Sequence, residues 1–187
     1  MIFEALKYIA DELKTDAFIA ENDSLVLGNI ALLDQPDGEL KSKVVLTLVN
    51  PEEEKTLKNG AIYVQQGDAI NKRNPTLHLN VYLLISCTDT AYEKALAKLS
   101  RIIAFFQRKF VFTAETASAS VIFPDGIEKL IVDLFSMNFE QVNHLWGVLG
   151  GKYQPSVLYK VRMVSIQNSN LDNVEPIREI KTNENPF

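Results

Sequence analysis

The stretch that decides the fold is HLWGVLGGKYQPSVLYKVRMVSI, which runs from His144 to Ile166. Its first part has the pattern of a helix end, and Gly150 and Gly151 favour a stop there because glycine tolerates left-handed backbone. Pro155 then biases the residue before it towards an extended shape. From Ser156 onwards the side chains alternate between two faces, as in a strand. The stretch therefore predicts a rigid corner that joins a helix to a long strand.

The same corner contains residue types that often bind ligands. Trp146 is the single tryptophan of the chain, His144 is one of two histidines, and both lie near Tyr153. With Tyr159, these aromatic residues would line a ligand slot in one interpretation. In the other they pack in the core or against another subunit, which is what large aromatic side chains most often do.

Upstream segments predict further elements around this strand. Ile2, Leu6, Ile9 and Leu13 recur at helical spacing, so a helix runs from Ile2 to about Lys14. KVVLTLV is rich in β-branched residues and predicts a strand. TLHLNVYLLIS alternates, with Leu77, Leu79, Val81 and Leu83 on one face and His78, Asn80, Tyr82 and Leu84 on the other.

Two segments between these strands are interpreted from local signals alone. NPEEEKTLKN predicts the start of a helix, because Asn50 can cap it, Pro51 suits the first position and the glutamates that follow favour the positive end of the dipole. A cation site at Glu52, Glu53 and Glu54 is the alternative. AIYVQQGDAINKRNP is polar and is interpreted as a loop.

DTAYEKALAKLSRIIAFFQRKF is the strongest helix pattern in the chain. Asp89 or Thr90 can cap it, and Lys98 lies largely off its apolar stripe. The helix is therefore expected to lie across the sheet with one stripe inward, formed by Tyr92, Leu96, Leu99, Ile103 and Phe106 and widened by Ile102 and Phe105. Together these elements predict an α/β (α+β) fold, with a mainly antiparallel or mixed sheet and amphipathic helices packed on it.

Composition limits the classes of function. The 187 residues are 47% hydrophobic and 23% charged with a net charge of −5, which is typical of a globular protein and argues against binding to a phosphate backbone. No apolar run reaches the length of a membrane span. The N-terminal MIFEALKYIADELK lacks the basic start and apolar core of a signal peptide, so folding in the cytoplasm is expected. Cys87, the single cysteine, lies in an apolar run and is expected to be a buried, inert thiol.

No catalytic constellation is evident. The glycine-rich phosphate-binding motifs, the serine nucleophile elbow and the HExxH motif are all missing from the sequence. Ser156 with His78 or His144 is the remaining combination for a hydrolase, and each of the three has a simpler structural explanation. We therefore predict no catalytic, metal-binding or cofactor-binding residues and no enzymatic activity.

The last segment, NSNLDNVEPIREIKTNENPF, differs from the rest because it is polar and rich in asparagine. Its isolated apolar residues recur every third position, and Pro176 opposes a continuous helix. We divide the chain into a body, residues 1–167, and an arm, residues 168–187. The arm is either a frayed terminus or a partner-binding segment that orders on a neighbouring subunit, with four candidate contact residues: Leu171, Val174, Ile177 and Ile180.

Four stretches in order resemble a known family. LTLVNPEEEKTLKN, NPTLHLNVYLLIS, YEKALAKLSRIIAFFQRKFVFT and the opening stretch are similar to the N-terminal domain of tail-terminator or cap proteins of extracellular contractile injection systems. These are phage-tail-like particles of the antifeeding-prophage type. With the first helix, the resemblance covers Ile2 to Ile166. One departure is Thr76, where a second proline often follows the one at Pro75; another is the additional C-terminal region that several relatives have.

The resemblance implies a structural role without catalysis. It implies a ring of identical subunits, expected to be a homohexamer, that ends the inner tube and contacts the last sheath ring. The expected partners are therefore other copies of the chain, the inner tube protein and the sheath protein, with no nucleic acid and no membrane. A small enzyme or ligand-binding domain and the terminator of a true phage tail are the alternatives.

Overall fold

The computed structural model describes residues 1–19, 24–35, 39–54, 63–66, 69–73, 78–164 and 171–174. Three α-helices and a short 3-10 helix (Ile30–Leu32) lie in these ranges, together with nine strands. The helices are α1 (Ile2–Leu13), α2 (Tyr92–Arg108) and α3 (Phe139–Val148). The strands are β1 (Leu25–Leu27), β2 (Val44–Glu53), β3 (Tyr63–Gln66), β4 (Ala69–Arg73), β5 (Leu79–Cys87), β6 (Val111–Phe112), β7 (Lys129–Phe135), β8 (Ser156–Val164) and β9 (Leu171–Val174).

Six strands form the main sheet in the order β1-β2-β5-β8-β7-β6. β1 is parallel to β2, and the other neighbours are antiparallel. A smaller sheet has the order β3-β4-β9. The predicted α+β class with a mixed sheet and packed helices is therefore confirmed.

Both faces of the main sheet are covered. On one face α1 and α2 pack on the alternate residues of β5, including Val81, Leu83 and Ile85. On the other face α3 and the 3-10 helix cover Leu84, and Trp146 joins this second core. The alternation predicted for TLHLNVYLLIS thus assigns the side chains of β5 to two different cores.

The predicted corner between α3 and β8 is present. Asn138 and Gln141 form a reciprocal capping box at the start of α3. At its end Gly150 and Gly151 have φ values of 104° and 78°, a region in which side chains with a Cβ atom are strained. The amide of Gly151 donates a 2.7 Å hydrogen bond to the carbonyl oxygen of Trp146, which closes the helix before the chain enters β8.

The helix predicted to begin at Asn50 is wrong, because residues 50–53 continue β2 and pair with β5. Pairing outweighs the local capping signal here: Pro51 lies opposite Val81, and the Tyr82 hydroxyl donates a 2.9 Å hydrogen bond to Glu52. Proline is tolerated because β1 pairs only with residues 44–46 of β2, which leaves this part of β2 without a described neighbour on that side.

The segment from Ala61 to Pro75, interpreted as a loop, contains β3 and β4, which pair antiparallel. β9 extends this small sheet by pairing with β4, from Ile70 opposite Val174 to Arg73 opposite Leu171. Two of the four candidate contact residues of the arm therefore lie on a strand, whereas Ile177 and Ile180 lie outside the described residues. The binding of the arm to a partner stays a prediction.

The face that α2 turns to the sheet differs in part from the prediction, because Ile102, Phe105 and Phe106 are buried as expected and other residues of the predicted stripe are not. Tyr92, Leu96 and Ile103 are exposed, and the buried face carries Ala95, Lys98, Ile102, Phe105 and Phe106. The predicted cap is wrong as well, because Ala91 is the N-cap residue and no side chain caps the helix. α2 has apolar residues on two faces, so its sequence is compatible with more than one buried face. The ion pair between Lys98 and Asp89 explains which face is buried.

Candidate interaction surface

The residues considered for catalysis lie apart. Ser156 pairs with Ser86 at one end of the β5–β8 ladder, whereas His78 precedes Leu79 at the other end. That ladder is eight residue pairs long, about 25 Å at the usual rise per residue. His144 is exposed on α3, a different element. In the described part of the chain, no three His, Cys, Asp or Glu side chains converge as metal ligands would.

The two buried aromatic residues of the corner, Trp146 and Tyr159, lie in different cores. Trp146 is buried and meets the ring of Tyr153 edge-on, with centroids 5.6 Å apart. Tyr159 faces the opposite side of the sheet, where its ring packs 4.6 Å from that of Phe106. The sheet therefore separates Tyr159 from Trp146, and the three rings do not line one slot.

Cys87 is buried, as the sequence predicts. Burial and the nearby carboxylate of Asp89 raise the pKa of the thiol to about 12. The thiolate, which is the reactive form, is therefore scarce at neutral pH.

A buried ion pair explains the orientation of α2. Lys98 is 1% exposed and its Nζ donates a 2.9 Å hydrogen bond to Asp89 Oδ1. A buried ammonium requires such a partner, and Asp89 lies in the segment between β5 and α2. The pair thus fixes the rotation of α2 and leaves Tyr92, Leu96 and Ile103 facing outwards.

A second buried charge, Glu12 of α1, ties three parts of the chain together. Its Oε2 accepts hydrogen bonds of 2.8 Å from Lys109 Nζ and from Ser118 Oγ. Its Oε1 accepts bonds of 2.8 Å from the Ser118 amide and 2.7 Å from the Tyr8 hydroxyl. Burial by itself would raise the pKa of Glu12, but these hydrogen bonds outweigh it and lower the pKa.

The Glu12 network positions the loop between β6 and β7, which forms one wall of an open groove of about 640 Å³ between α1 and the loop. Its lining is mixed: Phe3, Tyr8, Val121, Ile122 and Phe123 are apolar or aromatic, and Glu4, Lys7, Asp11, Lys14 and Asp125 are charged. Ile122 is 93% exposed at its rim. A sequence pattern could not have identified this groove, because its two walls are more than a hundred residues apart.

A second groove, of about 480 Å³, opens at the β1–β2 edge of the main sheet. Phe3 and Leu6 of α1 flank this edge on one face, and Leu145 and Val148 of α3 flank it on the other, with Leu48 of β2 between them. Phe3 lines both grooves, so the two grooves adjoin each other at this residue, and the second is lined by uncharged residues alone. Phe3 is 64% exposed and Val148 85% exposed.

Such a surface is typical of a site that binds another protein. Exposure of large apolar side chains to water is unfavourable, and a partner protein that covers them gains the free energy of their burial. In the described part of the chain, no helix is both long and apolar enough to cross a membrane.

Comparison with known proteins places this mixed α/β domain in a family. A family model described as the Pvc16 N-terminal domain matches residues 6–179, so the chain belongs to this family. The predicted resemblance is therefore confirmed. None of the curated proteins matches the chain.

Two structures solved by cryo-electron microscopy share the fold. One is the sheath/tube terminator, in its extended state, of the extracellular contractile injection system PVC. It has a TM-score of 0.62 and 12% identity, with coverage of 100% of this chain and 64% of that one. The other is the tube-terminating cap of the anti-feeding prophage, AFP, with a TM-score of 0.62, 14% identity and coverage of 95% and 59%. This chain thus spans less than two thirds of either relative.

Proposed function

We propose that this protein is the cap, or tail terminator, of a contractile phage-tail-like injection particle. In this role it forms a ring that ends the inner tube and contacts the last sheath ring. The family match over residues 6–179 is the observation that carries the proposal. The fold shared with a sheath/tube terminator and a tube-terminating cap supports it.

The surface of the chain suits this role. A polymer of stacked rings always exposes one unsatisfied face, and growth ends when a subunit covers that face without offering a copy of it. Such a subunit needs a rigid body and apolar contact area. The sheet, which is covered on both faces, supplies the rigid body, and exposed apolar side chains around the two grooves supply contact area: Phe3, Ile122, Leu48 and Val148.

We further propose a homohexamer, because the family resemblance implies a sixfold ring and a cap makes equivalent contacts when it shares the symmetry of the end that it covers. Its partners are other copies of the chain, the inner tube protein and the sheath protein, and it has no enzymatic activity. The protein is made in the cytoplasm and then becomes part of the particle. His78, His144 and Ser156 then have no catalytic duty, and replacing each by alanine leaves assembly intact.

The arm, residues 168–187, has a binding role in this proposal and docks on a neighbouring subunit or on the tube or sheath. β9 belongs to the small sheet and not to the six-stranded one. Deleting the residues after Gln167 is therefore expected to leave the unfolding midpoint of the body nearly unchanged and to weaken capping. A truncated protein that caps as well as the full chain would refute the role of the arm.

Tube growth tests the function itself. Inner tube protein is polymerised with and without this protein, and tube lengths are measured by negative-stain electron microscopy. A cap shortens the tubes at substoichiometric amounts, because one ring is enough to stop one end. Tube lengths that do not change at any ratio of the two proteins would contradict the proposal.

A further inference from the structure

A cavity of about 370 Å³ lies where the turn before β2 meets the start of α2. Its charged lining consists of four lysines and a single carboxylate: Lys41, Lys43, Lys94, Lys98 and Asp89. The other residues that line it are uncharged. Since the whole chain has a net charge of −5, this excess of lysine concentrates positive charge at one place on an acidic protein.

The helix that begins beside this cavity has an uncapped amino end. Its N-cap residue is Ala91, whose methyl group cannot accept a hydrogen bond. Among the residues that the structure describes, none accepts a hydrogen bond from the amides of Tyr92 and Glu93. The first turn of α2 therefore presents unpaired N–H groups and the positive end of the helix dipole next to the cavity.

The buried ion pair in the cavity wall has hydrogen-bonding capacity left over. Lys98 Nζ carries three N–H donors and the side chain is 1% exposed, yet within the described ranges it donates only to Asp89 Oδ1. The side chain of Asp89 is 5% exposed, and its Oδ2 has no hydrogen-bond partner. Buried donors and acceptors without partners are unfavourable. A molecule in the cavity that accepts from Lys98 and donates to Asp89 would complete both groups.

This requirement distinguishes between anions. A carboxylate or a sulfate ion offers only acceptors at neutral pH, so either one would bind the lysines but would be repelled by Asp89 Oδ2. A phosphate group that keeps one proton offers oxygens to Lys98 and to the helix amides, and its hydroxyl can donate to the Asp89 carboxylate. The amino end of a helix is in addition a favourable place for phosphate.

We propose that the cavity at the start of α2 binds a hydrogen phosphate group, whose oxygens accept from Lys98 and the first amides of α2 and whose hydroxyl donates to Asp89. The two sides of the cavity are already fixed to each other. The Ser42 amide donates a 3.1 Å hydrogen bond to the carbonyl oxygen of Thr88, and the Lys43 amide donates a 3.0 Å bond to Thr88 Oγ1. Phosphate binding goes beyond the proposed cap role and does not depend on it, so either can fail without the other.

An NMR titration tests the site. The full chain, labelled with ¹⁵N, is titrated near neutral pH and at constant ionic strength with sodium phosphate and, separately, with sodium sulfate. Phosphate is expected to shift the amide resonances of Tyr92 and Glu93 to saturation, with a Kd at least about tenfold lower than that of sulfate. If neither anion saturates these resonances, or if both bind equally tightly, the cavity holds water or an adventitious ion only and the proposal is overturned.

Two variants locate the interaction. Lys41 is exposed, so Lys41→Gln is expected to fold normally and to raise the Kd of phosphate about fivefold. The matched control is Lys7→Gln, which removes the same charge from the exposed side of α1, outside this cavity, and should change the Kd by less than about twofold. Equal effects would indicate general attraction to lysines and would overturn the proposal. Asp89→Asn replaces the unpaired acceptor by an amide that can donate, so this variant, if circular dichroism shows it folded, should lose the preference for phosphate over sulfate. A folded Asp89→Asn that keeps the preference would also overturn the proposal.

The source of the phosphate group is separated by pH. Inorganic phosphate still carries a proton at mildly alkaline pH, whereas a phosphomonoester loses its last proton with a second pKa of about 6. Glycerol 2-phosphate is therefore expected to bind below this pH and to weaken about tenfold above it, while inorganic phosphate binds in both ranges. Tighter binding of the ester than of inorganic phosphate at the lower pH would identify an ester as the ligand, and the reverse order would identify free phosphate. An ester that binds equally well in both ranges would contradict the role of Asp89.

Discussion

Replacing Lys109 by methionine is expected to destabilise the fold strongly, because it leaves the carboxylate of Glu12 buried without its cation. Glu12 is 1% exposed and Lys109 27% exposed in their ion pair. Methionine keeps an unbranched stem beside Phe112, whose ring centroid lies 5.2 Å from Lys109 Nζ. The substitution therefore removes the charge, the 2.8 Å hydrogen bond to Glu12 and a longer one of 3.5 Å to Ser118 Oγ, while it preserves most of the packing.

The expected loss is about 3 kcal/mol at neutral pH. Removing one partner of a buried pair costs about 3–5 kcal/mol, and the lower end applies because Ser118 and Tyr8 still donate to Glu12. For a urea slope of about 2 kcal/mol per molar, the unfolding midpoint falls by about 1.5 M. The assay is urea unfolding followed by circular dichroism.

The pH dependence of stability gives a second readout. In the wild type the pKa of Glu12 is lowered by folding, so the stability it contributes is present above the unfolded pKa and is lost as pH falls through the folded pKa. Burial acts to raise the pKa of Glu12, and the hydrogen bond from Lys109 is the largest of the effects that lower it. Without Lys109 the carboxyl group therefore takes up a proton at a higher pH than in the wild type, so the difference in stability between the wild type and Lys109→Met should shrink as the pH is lowered through the ordinary glutamate range.

The matched control is the double variant Lys109→Met/Glu12→Gln, which removes the buried charge altogether. It is expected to be more stable than Lys109→Met alone at neutral pH, because no unpaired charge remains. Two results would contradict the role of the Glu12 network in holding the loop. One is a loss of less than about 1 kcal/mol in the free energy of unfolding for Lys109→Met. The other is a double variant that is no more stable than Lys109→Met alone.

Three further predictions concern other parts of the body. Lys98→Met should lower the free energy of unfolding, measured in urea, by about 3–5 kcal/mol. The reason is that Asp89 loses the partner of its Oδ1, while its Oδ2 already has no hydrogen-bond partner. The double variant Lys98→Met/Asp89→Asn should recover part of this loss. Cys87 should react with a thiol reagent only when urea unfolds the protein, and rapid labelling of the native state would show that its burial is wrong. Gly150→Ala should lower stability by about 1 kcal/mol because of the positive φ at that position, and an unchanged midpoint would contradict the strain.

The sequence predicts those elements whose signals act locally and agree with their neighbours. The alternation in β5 and β8 and the glycine stop after α3 identify the corner and both faces of the sheet, because the pleat assigns side chains to faces without reference to the rest of the chain. The capping box at Asn138 has the same local character.

The errors arise where long-range contacts decide. Residues 50–53 carry a helix-start signal, but pairing with β5 makes them a strand. The orientation of α2 depends on Lys98 meeting Asp89, an ion pair that no apolar periodicity indicates. The interaction surface could not be predicted for the same reason, since its walls come from α1, β2, α3 and the loop around Ile122.

The most direct test of the central claim is to image the ends of tubes that have been incubated with this protein carrying a gold label. The account predicts label at one end of each tube, and averaged end views that show a closed ring of six copies. Label along the tube walls, or tubes without label while the protein stays monomeric in solution, would contradict it.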